Sequence, residues 1–260
     1  MYKKIIYVLI AFTFTVGNRA VAQSEKKVPE VDKTIPQTTL LPSPGEVLNA
    51  LNKIGRIQWS NLVTYNKFYN YKGRHKQALN IGIRVADAFV ALHDKDKTNF
   101  GNMNNVIFSL AKELNISDLI EEQKNLLQEL SQKDDWVLLI IELNTMNSQL
   151  QQELKKQKDD DIVLLSNVGA FFEGIRILST HFKNNYDNKK VGLLKQLGLI
   201  DYYIKEIDND INIKKDKNVE VVYNGLISLK TFLTEDPQVS LKTIEKMQDI
   251  AITVVESITN

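Results

Sequence analysis

The sequence contains no cysteine, and most of its few prolines are concentrated in one short segment. Without cysteine, the chain has no disulfide bonds, no thiolate metal ligands and no attachment point for the lipid that anchors many exported proteins. Stability must therefore come from burial of a hydrophobic core. A chain of 260 residues is long enough to bury most of its apolar surface.

Motifs typical of common enzyme classes are also absent. The sequence has no Gly-x-Ser-x-Gly nucleophile elbow, no glycine-rich phosphate loop and no dinucleotide-binding fingerprint. The three histidines do not occur at metal-ligand spacing, and His93 is expected in a helix's core face or last turn. Helix capping accounts for the acidic triplet 159–161, which precedes an apolar helical segment. We therefore expect no metal site and no cofactor.

Positive and negative charges nearly balance, with 33 lysines and arginines against 32 aspartates and glutamates. Residues 1–22 contain Lys3, Lys4 and Arg19 but no acidic residue, so the remainder of the chain has a formal charge of −2. Binding to nucleic acid or to an anionic membrane requires clustered positive charge. We expect neither as the main partner.

The amino-terminal residues predict a secretory signal peptide over residues 1–22. Two lysines precede the mostly apolar run 5–16, and Ala20-Val21-Ala22 provides the small residues that signal peptidase accepts. An uncleaved anchor is the alternative, but a membrane span needs about 20 apolar residues. We therefore expect an exported protein, periplasmic or extracellular, with no transmembrane span after cleavage.

A proline-containing segment separates this signal from the rest of the chain. Four of the five prolines lie between residues 29 and 44, among serine, threonine and charged residues. This composition predicts a flexible linker over 23–42. The capping box Ser43-Pro44-Gly45-Glu46 then predicts the start of a helical domain over 43–260.

Helical periodicity dominates that domain, and no sustained period-two alternation indicates a strand. Apolar residues repeat at alternating steps of three and four in several segments, for example from Trp136 to Leu154 and from Leu193 to Ile211. Each repeat spans only two or three heptads, so a long coiled coil is not indicated. The sequence predicts an all-α fold: an irregular bundle of about eight to ten mostly antiparallel helices.

Two predicted helices, 76–93 and 162–182, are apolar around most of their circumference, which is typical of central helices in a large domain. Each keeps one narrow polar stripe. We call Asn80, Arg84 and Asp87 the first polar ribbon, and Ser166, Glu173, Arg176 and Thr180 the second. Small residues in both helices would allow a neighbouring backbone to approach closely: Gly82 and Ala86 in one, Ala170 and Gly174 in the other.

Three arrangements of the ribbons are open. They could face water, with Arg84–Asp87 and Glu173–Arg176 as ordinary pairs three residues apart. They could form a buried network that fixes how the helices dock. They could instead share a polar cleft that binds a ligand, with the arginines as bidentate donors. The candidate ligand-binding residues for that third case are Asn80, Arg84, Asp87, Glu173 and Arg176.

The segments 78–82 and 86–88, with the start at Pro44–Val47 and the helix at Trp136, resemble a family of exported all-helical bacterial proteins of unassigned function. The resemblance covers most of residues 42–182. It implies export, an all-helical fold, and a shared pattern containing Asn80, Gly82, Ala86 and Asp87. It implies no reaction.

Three functions follow as hypotheses. The first is a non-catalytic helical domain of the cell envelope that binds a protein, peptide or glycan. Aromatic and basic residues interleaved over 56–74 could form a groove for a glycan or peptide, although we prefer to interpret them as a lid of aromatic side chains over the core. The second is an enzyme or small polar-ligand binder that uses a cleft between helices 76–93 and 162–182, with Glu173 or Asp87 as acid or base. The third is a self-associating structural protein.

Overall fold

The computed structural model describes residue 62, residues 71–116 and residues 120–260. The predicted signal peptide (1–22), the predicted linker (23–42) and the capping box at 43–46 lie outside the described residues. Of the described residues, 82% are helical and none is in a strand. The prediction of an all-α fold is confirmed.

The described residues form nine α-helices and one 3-10 turn, within the predicted range of eight to ten. The two helices predicted over 76–93 and 162–182 are present as α1 and α5, each slightly longer than predicted. The helices are α1 Arg74–His93, α2 Lys97–Glu113, α3 Ile120–Gln132, α4 Trp136–Lys156, α5 Asp160–Asn184, α6 Leu197–Asn209, α7 Ile211–Lys214, α8 Lys217–Glu235 and α9 Leu241–Thr259, and the 3-10 turn is Val191–Leu194.

Four helices end in the same tight turn, although none of these turns contains glycine. Lys95, Asn115, Asp134 and Lys158 each adopt a positive φ of 58° to 63° directly after a helix. In each turn the following residue donates its backbone N–H to a carbonyl five residues earlier, as in Asp96 to Ala91. This is the Schellman arrangement, which satisfies carbonyls that the helix end leaves open. It allows α1 and α2, α3 and α4, and α4 and α5 to follow one another through three residues.

Aspartates stand at the start of several helices, as the sequence predicts. Asp96 accepts a hydrogen bond from the Asn99 N–H at 3.0 Å, and Asp135 accepts one from Leu138 at 3.2 Å. Asp159 occupies the cap position of α5 but makes no capping bond; its carboxylate instead pairs with Arg74. The acidic triplet therefore serves partly to join α1 and α5.

The centre of the fold is the contact between α1 and α5. Every residue of α1 from 77 to 92 is buried, as expected for a central helix. A Cβ atom built on Gly82 would lie 1.8 Å from the Ser166 carbonyl oxygen, and one on Gly169 would lie 2.0 Å from the Leu79 carbonyl oxygen. The two helices thus touch backbone to backbone. The predicted role of Gly82 is confirmed, but Gly174 has no such neighbour and Gly169 takes its place.

The last helix, α9, covers this pair from one side. Asn80 of α1 donates to the Ile258 carbonyl at 2.8 Å, and Gln248 of α9 donates to the Thr180 hydroxyl at 2.9 Å. Positions late in α9 therefore contact early α1, and early α9 contacts late α5. Arg74 and Asp159 meet at the start of α1 and α5, and Asp87 and Glu173 meet further along both, so these two helices run parallel. Helix α9 runs antiparallel to them.

By length and composition, α5 is the one helix in the described ranges that could cross a membrane. However, 72% of its most apolar window is buried inside the protein. A central helix surrounded by other helices has the same composition. The burial of α5 follows from its place between α1 and α9.

Candidate functional site

The two polar ribbons are buried and lie next to each other. Asn80 is 0% exposed, Arg84 3%, Asp87 1% and Glu173 1%, while the side chain of Arg176 is 16% exposed. Of the three arrangements left open by the sequence, the one in which both ribbons face water is wrong. The reason is tertiary: the ribbons turn toward the side that α9 covers, so the polar groups meet protein rather than solvent.

Each arginine is held by the carboxyl group three residues away on its own helix. Arg84 Nη1 donates to Asp87 Oδ2 at 2.7 Å, and Arg84 Nη2 donates to the Tyr71 hydroxyl at 3.1 Å. Arg176 grips Glu173 with two nitrogens, Nε at 2.8 Å from Oε2 and Nη2 on Oε1. Its third nitrogen, Nη1, donates to the Leu62 carbonyl at 3.0 Å. Both arginines are thereby fixed in position.

The two pairs are joined through their carboxyl groups, which lie within hydrogen-bonding reach of each other. Burial raises the pKa of Asp87 well above its ordinary value, and the charge of Glu173 raises it further against the opposing effect of Arg84. Burial would also raise the pKa of Glu173, but the charge and hydrogen bonds of Arg176 outweigh it and leave the pKa lowered. The two shifts run in opposite directions, so a proton shared by this pair resides on Asp87 rather than on Glu173.

A cavity of about 500 Å³ opens beside this network, between α1, α5 and α9. Its size falls within the range of small-molecule sites in proteins. The cavity extends from the buried Asp87 and Glu173 to the exposed Glu256 on α9. The described residues that line it are Ile83, Arg84, Asp87, Glu173, Arg176, Ile252, Val255, Glu256, Thr259 and Asn260.

Four of the five candidate residues line this one cavity, and the fifth does not. Asn80 lies one turn before Arg84 and donates to the carbonyls of Lys76, at 2.9 Å, and Ile258, at 2.8 Å. Its amide therefore joins α1 to the carboxyl-terminal turn of α9. The geometry makes Asn80 a structural link between helices rather than a group available to a ligand.

The wall that α9 contributes to the cavity is not predicted from the sequence. Ile252, Val255 and Glu256 complete the cavity, and Glu256 adds a third carboxylate to those of the ribbons. The regular apolar spacing of α9 predicts a helix that packs on the core, but nothing in it indicates which helices it meets. Tyr71, whose hydroxyl accepts a hydrogen bond from Arg84, is the other site residue that the sequence does not predict; the other aromatic residues of its interleaved segment, 56–74, lie outside the described residues.

The histidines stand apart from this cavity. His93 is half-buried in the last turn of α1, where burial lowers its pKa. His75 lies between two aspartates, with Nδ1 3.1 Å from Asp216 and Nε2 3.4 Å from Asp161. These contacts tie the first turns of α1, α5 and α8 together. Within the described part of the chain, no group of three or more metal-ligand side chains could hold a metal ion.

Comparison with known proteins identifies no relative: no family model matches the chain, no curated protein matches it, and no solved structure matches its fold. The function must therefore be argued from the cavity itself.

Proposed function

We propose that this protein is an exported, non-catalytic helical binding protein, and that the cavity between α1, α5 and α9 binds a small polar ligand. Four charged side chains from two helices converge on this cavity, and that observation carries the proposal. Export rests on the sequence pattern of residues 1–22. A small ligand takes precedence over a protein, peptide or glycan because the charged groups lie deep beside α1 and α5.

Stability alone explains this arrangement poorly. A buried ion pair contributes little net stability, because desolvation of the two charges offsets their attraction, and apolar residues of similar volume often serve as well. Here the buried charges line the inner end of a cavity, although only Arg176 among them has more than a few per cent of its surface exposed. Convergent polar groups with shifted pKa values, set in a cavity with apolar walls, are typical of ligand sites.

Binding of simple probes to the full chain after removal of residues 1–22 tests the proposal. Hexylammonium, hexanoate, hexan-1-ol and glucose cover the cationic, anionic, neutral apolar and neutral polar classes. We expect at least one to bind at millimolar concentration, measured by ligand-observed NMR. Thr259→Trp places a large side chain in the cavity wall, and Thr253→Trp places the same side chain on the exposed face of the same helix.

The proposal holds if a probe binds the natural protein and the Thr253→Trp variant but not the Thr259→Trp variant. Binding that survives in both variants would place the probe elsewhere and overturn the assignment of the site. A protein that binds none of the four probes would overturn the proposal as well.

An acid–base enzyme is the second candidate, and the opposite pKa shifts of Asp87 and Glu173 favour it. Paired carboxyl groups with pKa values pushed apart can divide the roles of acid and base, and here Asp87 would be the acid. Both oxygens of Glu173 are occupied by Arg176, which leaves it poorly placed as a base. Turnover of 4-nitrophenyl esters or glycosides by the natural protein, lost in Asp87→Asn, would support this candidate; no turnover would overturn it for those reactions.

A further inference from the structure

We infer that the cavity binds a zwitterion, an α-amino acid with an apolar side chain, whose carboxylate contacts the Arg176 guanidinium and whose ammonium group contacts the Glu256 carboxylate. This inference rests on the proposed function and adds the chemical class of the ligand. Three features of the cavity lead to it: the charged side chains that a ligand can reach, the opposite signs of those charges, and the apolar wall.

A ligand can reach two of the five charged side chains in the described lining. Arg84, Asp87 and Glu173 are almost fully buried, so they close the inner end of the cavity without presenting surface to a ligand. The side chain of Arg176 is 16% exposed, and Glu256 on α9 is an exposed residue. A ligand in the cavity therefore meets one positive and one negative side chain.

The guanidinium of Arg176 has hydrogen-bond donors left for an anion. A guanidinium group carries five N–H donors. Within the described part of the chain Arg176 uses three of them: Nε and Nη2 donate to Glu173, and Nη1 donates to the Leu62 carbonyl. Nη1 and Nη2 therefore each retain one N–H. A ligand carboxylate can accept from these donors without displacing Glu173, and such charge-assisted bonds are stronger than those between neutral groups.

The carboxylate of Glu256 lies near this guanidinium but not in contact with it. The charge of Glu256 contributes to raising the pKa of Arg176, so the two groups are close enough to interact. Among the described residues, however, Glu256 has no partner within the ~4 Å of a direct ion pair. An α-amino acid carries its carboxylate and its ammonium group on the same carbon atom. One small molecule can therefore complement Arg176 and Glu256 together.

The remaining lining favours a ligand that has an apolar part as well as two charges. A ligand with a single charge is attracted by one of the two accessible side chains and repelled by the other, whereas a zwitterion is attracted by both. Ile83, Ile252 and Val255 supply an apolar wall against which an aliphatic side chain can pack. The cavity volume of about 500 Å³ leaves room for such an amino acid.

Calorimetry with L-leucine and two matched analogues tests this inference on the full chain after removal of residues 1–22. The first analogue, 4-methylpentanoate, is leucine without its ammonium group, and the second, 3-methylbutylammonium, is leucine without its carboxylate. We expect leucine to bind at least about tenfold more tightly than either analogue. Binding of all three should be lost in Thr259→Trp and retained in Thr253→Trp.

Variants assign each charge of the ligand to one side chain. Glu256→Gln should weaken the binding of leucine and 3-methylbutylammonium by about tenfold but not that of 4-methylpentanoate. Glu245→Gln, exposed on the same helix and outside the lining, should change none of the three. Arg176→Lys should weaken leucine and 4-methylpentanoate but not 3-methylbutylammonium. Because Arg176 also holds Glu173, circular dichroism checks the fold of this variant, and the exposed Glu256 provides the test if it does not fold.

The outcomes separate this inference from the proposed function. If leucine binds no more tightly than an analogue whose binding is lost in Thr259→Trp, the cavity remains a ligand site and the zwitterion is overturned. Glu256→Gln that weakens all three ligands alike, or none of them, would also overturn the assigned ammonium contact. Failure of leucine, its analogues and the four simple probes to bind would overturn the proposed function itself.

Discussion

Replacing Gly82 with alanine perturbs the closest contact in the fold. The added methyl group would lie 1.8 Å from the Ser166 carbonyl oxygen and 2.7 Å from the Ala170 nitrogen. A carbon and a carbonyl oxygen approach no closer than about 3.3 Å in comparable contacts. The helices α1 and α5 must therefore separate locally by about 1.5 Å, the difference between these two distances.

The energetic effect has two opposing parts. The clash involves backbone atoms of α5, which no side-chain rotation can move, so we place it at the upper end of typical overpacking effects, about 3 kcal/mol. Alanine favours a helix interior over glycine by about 1 kcal/mol, which offsets part of the clash. The Gly82→Ala variant should therefore be less stable by about 2 kcal/mol.

Gly174→Ala is the matched control, because it makes the same chemical change in the partner helix. A Cβ atom on Gly174 would meet no atom within 4 Å. This variant should gain up to about 1 kcal/mol from helix propensity alone, so the two variants should differ by about 3 kcal/mol. Urea unfolding followed by far-ultraviolet circular dichroism measures both.

Equal stability of the two variants would refute the backbone contact between α1 and α5. The same separation should displace Arg84, two residues further along α1, relative to Glu173 and Arg176 on α5. Probe binding should therefore weaken in Gly82→Ala and stay unchanged in Gly174→Ala. A destabilised Gly82→Ala protein with full binding would show that the cavity tolerates the shift.

Three further predictions concern turns and buried charges. Lys158→Gly should raise the free energy of unfolding by about 1 kcal/mol, measured in urea, because Lys158 has a φ of 63° that glycine adopts without strain. The control Lys155→Gly, within α4, should lower it by about 1 kcal/mol. Equal effects of the two substitutions would contradict the left-handed conformation of Lys158. Glu173→Gln should lower the free energy of unfolding by about 3 kcal/mol, because it leaves the guanidinium of Arg176 without its counter-charge. A decrease of less than about 1 kcal/mol would mean that solvent reaches the Glu173–Arg176 pair. Burial raises the pKa of Asp87, so above about pH 4 the folded protein retains a proton that the unfolded chain has lost. The free energy of unfolding should therefore fall as the pH rises, until the pH reaches the pKa of Asp87 in the folded protein. Asp87→Asn should remove this decline, and identical pH profiles would refute the raised pKa.

Periodicity and capping residues account for most of what could be predicted about the fold. Long apolar repeats with steps of three and four identify helices without reference to their neighbours, and α4 begins at Trp136 as its repeat indicates. The turns were harder to predict. Lys95 and Lys158 adopt the left-handed conformation that glycine or asparagine usually provides, so the local signal for the Schellman arrangement is missing from the sequence.

The contact between α1 and α5 shows how much of helix packing can be predicted from the spacing of small residues. The sequence correctly predicts a close approach at Gly82, but the counterpart of Gly82 on α5 is Gly169 and not Gly174. At about 100° per residue these two glycines lie about 140° apart on α5, so they face different neighbours. An apolar helix with small residues on several sides can bring any of them to its partner. Only the packing of the whole bundle selects one.

The polar ribbons could be located from the sequence, but their surroundings could not. A narrow polar stripe on an otherwise apolar helix predicts equally well a strip of solvent contact and a buried polar layer. Here the outcome depends on α9, whose Ile258 carbonyl meets Asn80 across 178 residues of sequence. The sequence of neither ribbon indicates this contact with α9. Because α9 also brings Glu256 and two apolar residues, the same tertiary contact that buries the ribbons creates the cavity beside them.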